Sequence, residues 1–207
     1  MRDADRRTRL PIMTIWLVRH GETAKNRERK LQGRSNSPLN KNGVHQAEAV
    51  RDYFKERGIL FYRIYSSSLT RAVQTARIIA GQDKRIITDD RLLEMDYGPY
   101  EGISLECPPP EIQIFFMDFV HNPAPEGMES LEHVKERAGD FLNSLIGAEA
   151  EDILIVTHAI ALKGALEYLT PESKGLYWSR YIGNCAVFRT EYDGNRYLIP
   201  EEQTLLT

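Results

Sequence analysis

Two hydrophobic rhythms alternate along the chain. Thr14-Ile15-Trp16-Leu17-Val18 and Asp152-Ile153-Leu154-Ile155-Val156-Thr157 are apolar at successive positions, the pattern of strands covered on both faces. The first run stops at Arg19-His20-Gly21 and the second at His158. Between them the spacing becomes helical. From the capping residue Asn40, apolar or small positions recur at Val44, Ala47, Val50, Tyr53 and Phe54 until Gly58. Leu69 to Ala80 carries a stripe at Ala72, Val73, Ala76 and Ile79 and is closed by Gly81. Leu60 to Tyr65 and Arg85 to Thr88 read as strands, whereas Asp89 to Pro110, rich in turn residues and ending in three prolines, predicts a surface loop. Loops of this length usually serve a function. Glu111 to Val120 predicts a short helix and His121 to Gly127 a proline-rich connection. Ser130 opens an amphipathic helix to about Ile146, and Ala161 to Leu169 a further one that Pro171 breaks. Cys185 to Thr190 and Arg196 to Ile199, around Tyr192-Asp193-Gly194-Asn195, predict a hairpin.

Strands alternating with helices predict a three-layer α/β/α sandwich on a mostly parallel sheet, in which ligands sit beyond the carboxyl ends of the strands. His20 and His158 both fall there. With 207 residues, 42% hydrophobic and 28% charged, the chain fits a single domain over residues 13–207. Residues 1–12 contain Arg2, Arg6, Arg7 and Arg9 but no apolar signal-peptide core, and are expected to be a disordered tail with no leader function. A net charge of -3 offers no electrostatic case for nucleic acid, so a small-molecule partner is expected. The two cysteines, Cys107 and Cys185, support neither a disulfide framework nor a zinc site and fit a reducing cytoplasm. No apolar run approaches the roughly 20 residues that span a bilayer. Nothing in the sequence decides oligomeric state, and a homodimer stays open.

Leu17-Val18-Arg19-His20-Gly21-Glu22-Thr23 resembles the signature of the histidine phosphatase superfamily, phosphoglycerate mutase-like branch, which implies phosphate chemistry. A phosphate monoester carries up to two negative charges, and transferring its phosphoryl group requires fixed cations around the equatorial oxygens. Arg19 directly follows a buried strand, and a guanidinium such as that of Arg19 or Arg71 can grip phosphate with two hydrogen bonds. A neutral imidazole is a nucleophile when its second nitrogen is held by a hydrogen bond. His20 and His158 end central strands, whereas His45, His121 and His133 fall on helix or loop surfaces and read as structural. Asn26, Ser67 to Ala76, Leu93 to Gly98 with Glu101-Gly102, and Val156-Thr157-His158 continue the likeness in order, from about residue 13 to 190.

The resemblance implies a phosphomonoester hydrolase acting on a small phosphorylated metabolite without metal or other cofactor. By it, His20 is phosphorylated, His158 donates a hydrogen bond to the phosphoryl group, and Arg19, Asn26 and Arg71 complete the cradle. Glu94 takes the position of the proton donor and acceptor, a role that suits a buried carboxyl group. Glu22 reads as structural. Ala159 and Pro99 stand where relatives commonly have Gly and Trp, and Asn36 replaces a frequent Asp. Ala159 thereby adds a methyl group where backbone approaches phosphate. Two other readings compete: a cofactor-dependent phosphoglycerate mutase, for which Leu105 to Ala150 looks short, and a catalytically inactive scaffolding relative. Leu105 to Gly127, with Phe115, Phe116, Met117 and Phe119, is expected to form a lid, although two of those aromatics suit plain core packing equally well.

Overall fold

The computed structural model describes residues 13–147 and 152–205. The expected tail, residues 1–12, lies outside the described residues. One sheet runs in the order β3-β2-β4-β1-β5-β6. Its strands are β1 (Met13–Arg19), β2 (Arg63–Ser66), β3 (Ile87–Thr88), β4 (Asp152–Thr157), β5 (Val187–Tyr192) and β6 (Glu201–Gln203). β3, β2, β4 and β1 are mutually parallel, and β5 and β6 add an antiparallel edge. The helices are α1 (Ala24–Arg27), α2 (Lys41–Glu56), α3 (Thr70–Ala80), α4 (Pro110–Met117), α5 (Leu131–Asn143), α6 (Ala159–Leu169) and α7 (Leu176–Ser179). None of the described helices is long and apolar enough to cross a membrane.

The unbroken apolar runs explain the layering. Alternate residues of β1 and β4 point to opposite faces. Ile15, Leu17, Ile153 and Ile155 pack under Phe141 and Leu142 of α5 and Leu162 and Leu166 of α6. Trp16, Val18, Leu154 and Val156 meet Ala47, Val50 and Phe54 of α2 and Ala72, Ala76 and Ile79 of α3. Each buried branched side chain contributes about 1.5–3 kcal/mol, so both faces of the sheet centre are strongly held. The β1–β4 register pairs Arg19 with Thr157 and thereby sets His20 beside His158 at the carboxyl edge.

Several expectations change in detail. β2 begins only at Arg63, because Leu60 and Tyr62 point to solvent and Phe61 alone of residues 60–62 is buried. β3 is reduced to Ile87–Thr88. The 89–110 segment is irregular but not superficial, since Leu92, Glu94, Met95 and Tyr97 are buried. α4 ends at Met117 rather than Val120, where the Asp118 carboxylate accepts from the N–H groups of Val120 and His121 and turns the chain. β5 pairs with Glu201–Gln203 rather than with Arg196–Ile199. There the Asp193 carboxylate accepts from the N–H groups of Asn195 and Arg196, and only the Tyr192–Tyr197 bridge forms before Pro200, which has no N–H to offer a ladder.

Candidate active site

His20 follows β1, and its backbone N–H donates to the Thr157 carbonyl at 2.9 Å, while the two imidazole rings lie 5.0 Å apart. Its Nδ1 stands 2.7 Å from the Gly21 carbonyl oxygen, which can only accept, so Nδ1 carries the proton and Nε2 keeps its lone pair. Nε2 accepts from Arg71 Nε at 3.2 Å. Burial, reinforced by Arg71 and Arg19, holds the His20 pKa well below the usual histidine value, leaving a neutral ring at neutral pH. Gly21 is required by space: a Cβ there would meet the Gly43 carbonyl oxygen at 2.4 Å.

Arg71 projects from the first turn of α3 and is fully buried. Its guanidinium donates to the carbonyls of Gly33 (2.6 Å) and Ser35 (2.8 Å), and its Nε is shared between His20 Nε2 and His158 Nδ1 (3.1 Å). Burial pulls its pKa down to about 10, still cationic at neutral pH. The Asn36 side chain caps α3 by accepting from Thr70 N at 2.8 Å, which gives this unusual residue a structural role. Arg19 donates through one terminal nitrogen to the Ile182 carbonyl at 2.6 Å, while its buried Nε has no acceptor. Burial lowers its pKa, against the raising influence of Glu94.

His158 caps α6, and its Nε2 lies 2.7 Å from Ser67 Oγ. With Nδ1 accepting from Arg71, Nε2 is the protonated nitrogen. A serine hydroxyl both donates and accepts, so the opposite tautomer, with Nδ1–H turned to an anion, is equally compatible with Ser67. Burial and then Arg71 keep this ring neutral as well. Glu94 is buried rather than solvated. Its carboxylate accepts from the N–H groups of Met95 (2.9 Å), Ile160 (3.1 Å) and Ala161 (3.0 Å), at the positive end of the α6 dipole. It lies within electrostatic reach of both Arg19 and Arg71.

Asn26 is third in α1 and reciprocates the Thr23 cap: its Oδ1 accepts from Thr23 N at 3.1 Å, leaving the amide nitrogen as the end available to a ligand. Ala159 opens α6, so its N–H is one of the helix's intrinsically unpaired donors. Arg19, His20, Arg71, Glu94 and His158 therefore converge, with Asn26 and Ala159 at the rim. His45, His121 and His133 are instead exposed side chains paired with Glu48, Asp118 and the largely buried Glu129. Glu22 accepts from Asn40 Nδ2 at 2.6 Å and secures the start of α2.

Other residues complete the site, and of these Gln32 and Asn184 carry no signal in the sequence. Gln32 accepts from Thr23 Oγ1 at 2.7 Å and leaves a buried Nε2 donor unmatched, like that of Arg19. Asn184 donates to the His20 carbonyl at 3.0 Å, and Cys185, in the left-handed region at φ 57°, donates its N–H to Arg19 O. Glu101 accepts from Gly33 N at 2.9 Å and from Ser35 Oγ, bracing the loop that holds Arg71. A neutral nucleophilic nitrogen, one buried and one half-buried guanidinium group, unmatched N–H donors and a carboxylate form an arrangement able to bind a phosphoryl group and move it.

The family model described as histidine phosphatase superfamily (branch 1) matches residues 15–202. Over 193 residues the chain is 33% identical to the protein named "Probable phosphoglycerate mutase GpmB" of Yersinia pestis (strain Pestoides F), covering 90% of this chain and 88% of that one. The phosphoserine phosphatase of Entamoeba histolytica, solved in complex with 3-phosphoglyceric acid, matches with a TM-score of 0.80 at 26% identity, over 93% of this chain and 97% of that one. A phosphoglycerate mutase from Bacillus anthracis str. Sterne matches with a TM-score of 0.78 at 22% identity, over 96% and 95%, a likeness of fold. The span matched by the family model and the identity to the Yersinia relative lead to one conclusion: the chain belongs to the histidine phosphatase superfamily, branch 1.

Proposed function

We propose that this protein hydrolyses small phosphomonoesters through a phosphohistidine at His20, without a metal ion. The observation that carries the reading is the His20 ring itself, neutral, with Nδ1–H tied to Gly21 O and Nε2 turned toward Arg71. His20 Nε2 attacks phosphorus while the bond to the leaving oxygen breaks, and the Glu94 carboxyl group delivers its proton to that oxygen. Water then attacks the phosphohistidine and gives a proton to the Glu94 carboxylate. The P–N bond breaks, inorganic phosphate leaves and His20 returns to its starting state. Arg19 and Arg71 stabilise the equatorial oxygens, the task that magnesium performs in nucleotide-dependent phosphoryl transfer. His158, Asn26, the Ala159 N–H and Gln32 Nε2 supply further donors.

The name of the Yersinia relative favours a second reading, in which the phosphohistidine passes its group to another hydroxyl of a phosphoglycerate rather than to water. Incubation with 3-phosphoglycerate and 2,3-bisphosphoglycerate separates the two, since rapid formation of 2-phosphoglycerate would overturn the hydrolase reading. For the hydrolase itself, His20→Ala is expected to abolish cleavage of an aryl phosphate and EDTA to leave the unmodified protein active. Surviving activity in the variant, or loss with chelator, sinks the mechanism.

A further inference from the structure

Lys163 is a buried cation on α6 that the scheme above leaves unused. Its Nζ donates to the Trp178 carbonyl of α7 at 2.7 Å and lies 5.0 Å from the centre of the Phe119 ring. Phe119 stacks edge-on with Phe115 and Phe116, and Phe115, Phe119 and Trp178 share one apolar cluster with Met95, Tyr97 and Ile160. Met95 and Ile160 are also two of the residues whose N–H groups seat the Glu94 carboxylate. One ammonium group therefore joins three pieces of chain around that carboxylate: α6, α7 and the aromatic segment that spans the end of α4.

We infer that Lys163 is a positioning residue, fastening the 115–119 segment and α7 to α6 so that the Glu94 carboxyl group is held at the leaving oxygen. The inference rests on the reading of Glu94 as proton donor. Burial pulls the Lys163 pKa down to about 8, with Glu94 opposing the shift and Arg19 adding to it, so at neutral pH the group is mostly charged. A buried lysine held at such a cost calls for a return, and a single hydrogen bond to a carbonyl is a modest one.

The test uses the leaving group. A proton donor matters for an alkoxide and hardly at all for dinitrophenolate, so Lys163→Met is assayed for the single-turnover rate of His20 phosphorylation from glycerol 2-phosphate and from 2,4-dinitrophenyl phosphate. The expected result is a loss of about tenfold or more with the alkyl ester and of less than about twofold with the aryl ester, restored by Lys163→Arg. Circular dichroism and melting temperature check that Lys163→Met is folded at the assay temperature, so that equal loss in both arms counts against the inference. Glu94→Gln runs alongside. Leaving-group dependence in Glu94→Gln with equal losses in Lys163→Met overturns the role of Lys163 and spares that of Glu94. Its absence from Glu94→Gln overturns both.

Discussion

Replacing Gly21 with alanine tests how the nucleophile is held in place. The added Cβ would lie 2.4 Å from Gly43 O and 3.0 Å from Gly43 C and Cα. Normal contact begins near 3.4 Å, so the strand-end loop and the first turn of α2 must part by about 1 Å. Both surfaces are backbone, and no side chain can swing aside. Nor can the loop drift freely. Gly21 N donates to Thr75 Oγ1 at 3.1 Å, Asn40 N donates to Glu22 O at 2.9 Å, and Gly21 O holds His20 Nδ1. Gly21 is absent from the positive-φ glycines, so contact rather than backbone conformation sets the penalty. Overpacking of this kind costs about 1–3 kcal/mol, which for a domain of this size lowers the melting temperature by roughly 2–12 °C. A nucleophile displaced by about 1 Å loses on the order of 100-fold in rate. Calorimetry and kcat/KM on an aryl phosphate measure both. An unchanged melting point with kcat/KM within about threefold of the unmodified protein would refute the close-approach argument.

Two further outcomes follow from the same geometry. His20 and His158 are held neutral, with folded pKa values below the unfolded histidine value near 6.5. The unfolded chain therefore binds protons that the folded one refuses, and stability falls as pH drops below about 6.5, by up to about 1.4 kcal/mol per pH unit for each ring. Urea unfolding at pH 7.5 and 5.5 measures this, and equal free energies at both would contradict it. Glu101→Gln removes the charge that accepts from Gly33 N and Ser35 Oγ, loosening the carbonyls that orient Arg71. It is expected to cost about 1–2 kcal/mol of stability and roughly tenfold in kcat/KM, and full retention of kcat/KM would remove Glu101 from the support of the site.

The layered fold was legible because doubly covered strands and amphipathic helices each leave a periodic trace. The caps Asn40 and Ser130 and the stops Gly58 and Gly81 stand at the expected ends. The α3 stripe was read from apolar residues alone, whereas the buried face also carries Arg71 and Thr75, which serve the site instead of the core. Glu94 and Tyr97 were assigned to a surface loop because irregular backbone has no period, and their burial comes from packing under α4 and α6. Motif likeness singled out the converging charged residues. Asn184 left no signal, since an asparagine before a hairpin reads as a turn former. Gln32 and Lys163 were hidden in the same way, one in a loop and the other within a helix whose apolar neighbours drew the assignment.

In the proposed mechanism His20 Nε2 accepts the phosphoryl group. Rapid mixing with an aryl phosphate, an alkaline quench and peptide mass spectrometry examine that bond directly. The expected result is one acid-labile phosphoryl group on the peptide containing His20, lost in His20→Ala together with turnover. Phosphate found on a serine or carboxylate instead, or turnover persisting in His20→Ala, would contradict it.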